Sequence, residues 1–188
     1  MENTKNILDS LSWYEGVIYD FDGTIATIDM DWQLLKDELA LYVRDQKWDD
    51  ISFTPLDAKL QECKNLYWEV FYEELLRIIA DREKDSWLCE DNTILVDYIR
   101  GSSQKQALFT MNTTDAIEQY MYQIFGGNPF DIIVTKNTCI KPKPSADDIN
   151  IICKTWWLGH DVVVYVWNSD ADRISWELAG IKTYIITI

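Results

Sequence analysis

This chain is poor in histidine, and its positive charges are far outnumbered by negative ones. One histidine, His160, stands among 188 residues, and 17 lysines and arginines face 32 aspartates and glutamates. With no second imidazole to join it, His160 reads as a turn or surface residue in Leu-Gly-His-Asp, not as a metal ligand or catalytic base. A formal charge of −15 and a pI near 4.3 argue against nucleic acid and anionic membrane surfaces, which both attract basic patches. An anionic substrate would therefore need local compensation from a metal and a few lysines. No stretch approaches the roughly twenty consecutive apolar residues of a membrane span. The start, Met-Glu-Asn-Thr-Lys-Asn, lacks the basic and apolar segments of a signal peptide. Cys63, Cys89, Cys139 and Cys153 form no Cys-x-x-Cys pair, so free thiols in a reducing cytoplasm are expected. The length suits one core domain with a modest insertion.

What the chain does have is concentrated in residues 17–24, Val-Ile-Tyr-Asp-Phe-Asp-Gly-Thr. An apolar β-type run ends in two aspartates one residue apart. Such a strand sets Asp20 and Asp22 at the carboxyl edge of a sheet, where open α/β folds keep their ligand sites. Two carboxylates so close repel unless a cation lies between them or one is protonated. Oxygen ligands of this kind suit a hard divalent ion, and Mg²⁺ is the one expected. Gly23 permits a sharp turn beside a ligand. A calcium loop also uses Asp-x-Asp-Gly, but it lies between two helices and needs a downstream Glu. Here a strand comes first, and the eight residues after Gly23 contain no Glu.

The remaining pattern divides the chain. Residues 25–90 read as all-helical. An apolar stripe runs through Trp32, Leu35, Leu39, Tyr42 and Val43. A second helix is expected to start with Thr54 as N-cap and Pro55 as first residue, and to run on to Ile79. From residue 91 the signals alternate: helix 92–100, strand 107–110, helix 115–125, strand 130–135, helix 145–158, strand 162–167, helix 170–179, strand 183–188. Together with the first strand this predicts α/β architecture: a doubly wound, parallel, five-stranded Rossmann-like sheet in residues 1–24 and 91–188, with an inserted helical cap at 25–90. No repeat or low-complexity tract is evident.

Three later strand ends complete a series. Ala107-Leu-Phe-Thr110-Met111-Asn112 offers a hydroxyl and backbone N–H groups that could hold phosphate oxygens. Lys141-Pro-Lys-Pro144 is a stiff, cationic loop in an acidic chain. The strand 162–167 runs into Asn168-Ser-Asp-Ala-Asp172. In order, the four segments resemble the motifs of the haloacid dehalogenase (HAD) superfamily, and the resemblance spans essentially the whole chain. The helical insertion after the first motif is similar to that of the phosphoglycolate phosphatase and β-phosphoglucomutase branch.

The resemblance implies a Mg²⁺-dependent phosphatase acting on a small phosphorylated metabolite. Asp20 would be the nucleophile that becomes an aspartyl phosphate, and Asp22 the general acid and base. Thr110, with Met111 and Asn112, would bind the phosphoryl group. Lys141 would neutralise it, leaving Lys143 exposed or turned to the outer part of the substrate. The metal would be held by Asp20, the Asp22 carbonyl and Asn168, supported by Asp172. The pattern departs at Trp167 and Asn168, where Gly and Asp are usual. That removes one negative charge and implies weaker metal binding. Asp22 speaks against the dehalogenase branch, which lacks this acid. A non-catalytic phosphoryl-binding protein and a phosphomutase are the alternatives. A response-regulator receiver does not suit the long insertion. The expected assembly is a monomer or homodimer.

Overall fold

The computed structural model describes residues 2–143, 145–168, 176–177 and 180–186, with side chains from residue 6 onward. The chain divides into two compact units, Met1–Ile28 with Leu88–Ile188, and Asp29–Trp87.

The first unit is built on five strands: β1 (Gly16–Tyr19), β4 (Lys105–Phe109), β5 (Ile132–Val134), β6 (Val163–Trp167) and β7 (Lys182–Ile185). Their order in the sheet is β5-β4-β1-β6-β7, and every pairing is parallel. All residues of β1 and β6 are buried, as are four of the five in β4. Continuous apolar runs of this kind belong in a parallel sheet covered on both faces. The strand order turns at β1, so the crevice at its carboxyl end is the topological switch point. Register fixes what meets there: Tyr19 pairs with Leu108 on one side and Val166 on the other. Asp20, Thr110 and Asn168 thus leave three adjacent strands at nearly one level.

Among the described residues, the α-helices of this unit are α1 (Glu2–Leu11), α5 (Thr93–Gly101), α6 (Thr114–Phe125) and α7 (Asp147–Trp156). The Asn92 side chain caps α5 by accepting from the Leu95 N–H, and Gly126 at φ 74° ends α6. Ile149, Ile152, Cys153 and Trp156 of α7 join Ile18, Phe109, Tyr165 and Trp167 of the sheet in one apolar cluster. The first helix was not anticipated. Leu8 and Leu11 bury its inner side, and the Gln104 amide donates to the Leu11 and Tyr14 carbonyls at 2.8 and 2.5 Å. The helix expected over 170–179 falls largely outside the described residues.

The second unit holds α2 (Trp32–Lys47), α3 (Leu56–Leu66) and α4 (Glu69–Lys84). The Asp31 carboxylate caps α2 by accepting from the Gln33 and Leu34 N–H groups. The expected second helix is in fact two. Tyr67 is extended at φ −116°, ψ 140°, and its hydroxyl donates to Asp49 Oδ2 at 2.5 Å. The break has a packing reason. One continuous helix would spread its apolar residues around the whole axis. Folded in two, Leu60 and Cys63 of α3 and Leu75, Leu76 and Ile79 of α4 share one core with Leu35, Leu39 and Val43 of α2. Pro55 precedes α3 with no side-chain cap, so Thr54 is not the N-cap expected of it.

The insertion is not all-helical. Two short strands, β2 (Ala26–Asp29) and β3 (Trp87–Asp91), form a sheet of their own where helix was expected. Ala-Thr-Ile-Asp alternates buried and exposed positions in β2, a period-2 pattern too short to stand out from its flanks.

Candidate active site

The site grows from the turn after β1. The Asp20 N–H donates to the Val166 carbonyl at 2.8 Å, carrying the β1–β6 ladder one residue past the strand. The chain then curls tightly. The N–H groups of Thr24, Ile25 and Ala26 all donate to the Phe21 carbonyl, and the Gly23 N–H donates to the Ala26 carbonyl at 2.8 Å. Gly23 lies at φ 74°, a left-handed conformation costly for any residue with a Cβ. Phe21 is fully buried and stacks on Tyr120 at 5.6 Å, anchoring the curl between the two aspartates.

Asp20 and Asp22 are therefore held by different means. Asp22 Oδ1 accepts the Ile28 N–H at 3.1 Å. Burial pushes its carboxyl above the usual carboxylate range, Asp20 adds to the rise, and the Ile28 N–H opposes it. A carboxyl biased toward its protonated form can donate a proton. Asp20 Oδ1 accepts from Lys143 Nζ at 2.5 Å, with 15 and 13 % of the two side chains exposed. The ammonium also sits 5.0 Å from the Phe109 ring centroid and 5.5 Å from that of Tyr165. Those rings stabilise the cation where water is scarce.

The lysine at the site is thus Lys143. Lys141 was expected there, but its ammonium pairs with Asp147 Oδ2 at 2.6 Å, and 65 % of the side chain is exposed. Asp147, in the first turn of α7, captures Lys141 and holds it outward. Asp148, missed in the sequence, anchors the same loop. Only 4 % exposed, it accepts the Ile140 N–H at 3.0 and 3.1 Å and the Lys141 N–H at 3.3 Å. The one sequence signal for it was a pair of acids at a helix start.

Thr110 stands on β4's carboxyl end, but its groups are engaged within the loop. Its hydroxyl donates to Asn112 Oδ1 at 2.6 Å and accepts the Asn112 N–H at 3.1 Å. Its own N–H donates to the Val134 carbonyl at 2.9 Å. Thr110 and Asn112 are almost fully buried and Met111 partly so. Thr110 in this arrangement shapes the strand-end turn instead of presenting a free donor.

Asn168 leaves β6 beside the curl. Its Nδ2 donates to the Asp22 carbonyl at 3.0 Å. Three oxygens of the kind a hard cation takes lie on the turn after β1 and at the end of β6: the Asp20 carboxylate, the Asp22 carbonyl and the Asn168 amide oxygen. They fit Mg²⁺ in type, provided that Asn168 turns its amide, since the nitrogen now faces the carbonyl. Asp172 lies outside the described residues. Among the described residues no cluster of three or more His, Cys, Asp or Glu could hold a metal, and no helix is long and apolar enough to cross a membrane.

Comparison with known proteins bears on the family and the fold. The family model for haloacid dehalogenase-like hydrolases matches residues 17–186. A search of curated proteins returned no match. Among solved structures, the chain is similar to a predicted HAD-like family hydrolase from Porphyromonas gingivalis, with 15% identity, TM-score 0.62 and coverage of 93% of this chain and 92% of that one. It is similar to a predicted phosphoglycolate phosphatase from Haemophilus somnus 129PT, with 16% identity, TM-score 0.60 and coverage of 94% and 90%. A third likeness is CbbY from Rhodobacter sphaeroides in complex with phosphate, with 19% identity, TM-score 0.56 and coverage of 93% and 87%. At these identities the three structures speak for the fold, while the family model takes in both aspartates, the lysine loop and Asn168: the chain belongs to the haloacid dehalogenase-like hydrolases.

Proposed function

We propose that this protein is a phosphomonoesterase that hydrolyses a small phosphorylated metabolite through an aspartyl phosphate on Asp20. The observation that carries the reading is the pairing of unlike carboxyls on one turn. Asp20 is bound to the Lys143 ammonium at 2.5 Å, whereas Asp22 is half-buried and held by a backbone N–H. Dehalogenase chemistry has no use for the second carboxyl; phosphoryl transfer needs it.

The Asp20 oxygen not held by Lys143 attacks phosphorus in line, and the bond from phosphorus to the leaving oxygen breaks. Asp22 gives its proton to that oxygen. The same carboxylate then takes a proton from water, which attacks the phospho-aspartate and frees Asp20 and inorganic phosphate. Lys143 stays beside the transferring group throughout and offsets its charge. Phosphatases of this family generally use Mg²⁺. Asp20, the Asp22 carbonyl and the reoriented Asn168 would hold it here, and it would add positive charge against the phosphoryl oxygens. The substrate's size is inferred from the helical insertion and from the predicted phosphoglycolate phosphatase among the similar structures.

The test is phosphate release from a broad panel of phosphorylated metabolites, with and without Mg²⁺, alongside Asp20→Asn. Turnover that disappears in the variant supports the reading. A phosphoenzyme that forms but hydrolyses slowly points to a phosphomutase. No turnover on any substrate points to a phosphoryl-binding protein, a role the Asn168 substitution would suit.

A further inference from the structure

We infer that the Asn168 amide competes with a divalent cation for the Asp22 carbonyl, so that a metal enters only by turning this side chain over. The inference rests on the phosphatase reading for the place of the cation alone, and its geometry is independent of the reaction. Asn168 Nδ2 donates to the Asp22 carbonyl at 3.0 Å. A Cβ on Gly23 would lie 2.0 Å from that nitrogen and 3.0 Å from Asn168 Cγ. The amide therefore rests flat on the turn, in space that only glycine leaves open. Its own backbone is fixed from below. Trp167 is 4% exposed and sits among Tyr165 and Trp176, with ring centroids 5.9 and 6.4 Å away.

An amide has two unlike ends, and a carboxylate has not. The nitrogen end closes the turn without help, because a donor meets the carbonyl. The oxygen end could ligate a cation after a half-turn about the terminal torsion. An aspartate at this position would set oxygen against oxygen and would need a cation between them. Asn168 thus keeps the turn bearing Asp20 and Asp22 in shape without metal, and it makes metal binding pay for a lost hydrogen bond and a missing charge. It is a positioning residue for both aspartates.

The experiment compares the native chain with Asn168→Asp and Asn168→Ala. Mn²⁺ binding is read from the electron paramagnetic resonance of the free ion, and thermal unfolding is measured in EDTA and in excess Mg²⁺. Asn168→Asp is expected to bind Mn²⁺ at least about tenfold more tightly than the native chain, the scale on which metal-site side chains act. It should melt below the native chain in EDTA and recover in Mg²⁺. Asn168→Ala should melt below the native chain in EDTA without gaining Mn²⁺ affinity. The inference is overturned if the native chain binds Mn²⁺ as tightly as Asn168→Asp, or if both variants melt like the native chain in EDTA. It is also overturned if Asn168→Asp loses the same stability in both solutions, which is what a merely structural asparagine would do. Absence of phosphate release from every substrate, with this binding and melting pattern intact, would overturn the phosphatase reading and leave the inference standing.

Discussion

Lys141 and Lys143 lie two positions apart and do different work. The Lys143 ammonium is enclosed against Asp20 by two rings, and Lys141 is outside with Asp147. Lys143→Ala should lower the rate of phosphate release on the order of a hundredfold or more, because a preorganised cation beside developing charge is lost. Lys141→Ala should stay within about threefold, as exposed pairs contribute little. Steady-state kinetics on one substrate decides it; equal losses would reverse the assignment. Asp22 supports a second prediction. Its folded-state value is raised, chiefly by burial. A raised carboxyl contributes stability only in acid, and that contribution is lost as pH rises through the folded value. The ionised group is thus a cost at neutral pH. Asp22→Asn should melt above the native chain at pH 7 in EDTA, and its advantage should shrink toward the ordinary carboxylate range. A variant that melts lower at pH 7 would count against this. Gly23→Ala places a methyl 2.0 Å from Asn168 Nδ2 at a positive φ, so a loss of about 1–3 kcal/mol is expected by denaturant titration.

At the scale of elements, the loop between β5 and α7 shows how a buried carboxylate aims a remote lysine. Asp148 receives the N–H groups of Ile140 and Lys141, and Lys143 comes two residues later, after Pro142. Asp148→Ala leaves those donors without their acceptor. It should lower stability by about 1–3 kcal/mol, and phosphate release should fall by roughly tenfold as the loop loosens. Asp148→Asn keeps an acceptor and should fall in between. Unchanged kinetics in the alanine variant would show that Lys143 is placed by its rings and Asp20 alone. The elements also show what periodicity can and cannot reveal. β1, β4 and β6 were legible because a strand buried on both faces is apolar throughout. The break at Tyr67 was not, because residues 56–79 carry helical spacing on both sides of it. The hydrogen bond that accompanies it reaches 18 positions back to Asp49. β2 and β3 are short and form a two-stranded sheet, so their own sequences say little.

At the scale of the whole molecule, the chain carries 15 excess negative charges, and its site must admit an anion. Diffuse repulsion of this kind is screened by salt, with a Debye length of ~8 Å at physiological ionic strength. The apparent KM for an anionic substrate should therefore fall as NaCl rises from low ionic strength, with kcat little changed. A KM that rises with salt would mean that local attraction at Lys143 outweighs the global field. The α/β order of the core and the carboxyl-edge position of Asp20, Asp22, Thr110 and Asn168 were legible in the chain, because apolar strands end at chemically distinctive residues, and the resemblance of those four segments to known motifs pointed to the family. It took the folded chain to reveal which lysine faces Asp20, that Asp148 anchors its loop, that Thr110 is turned to Asn112, and that the Asn168 amide meets the Asp22 carbonyl. The physical reason is the same each time. A loop side chain has no period to read, and its direction is set by partners brought near by the parallel register of strands that are far apart in the chain.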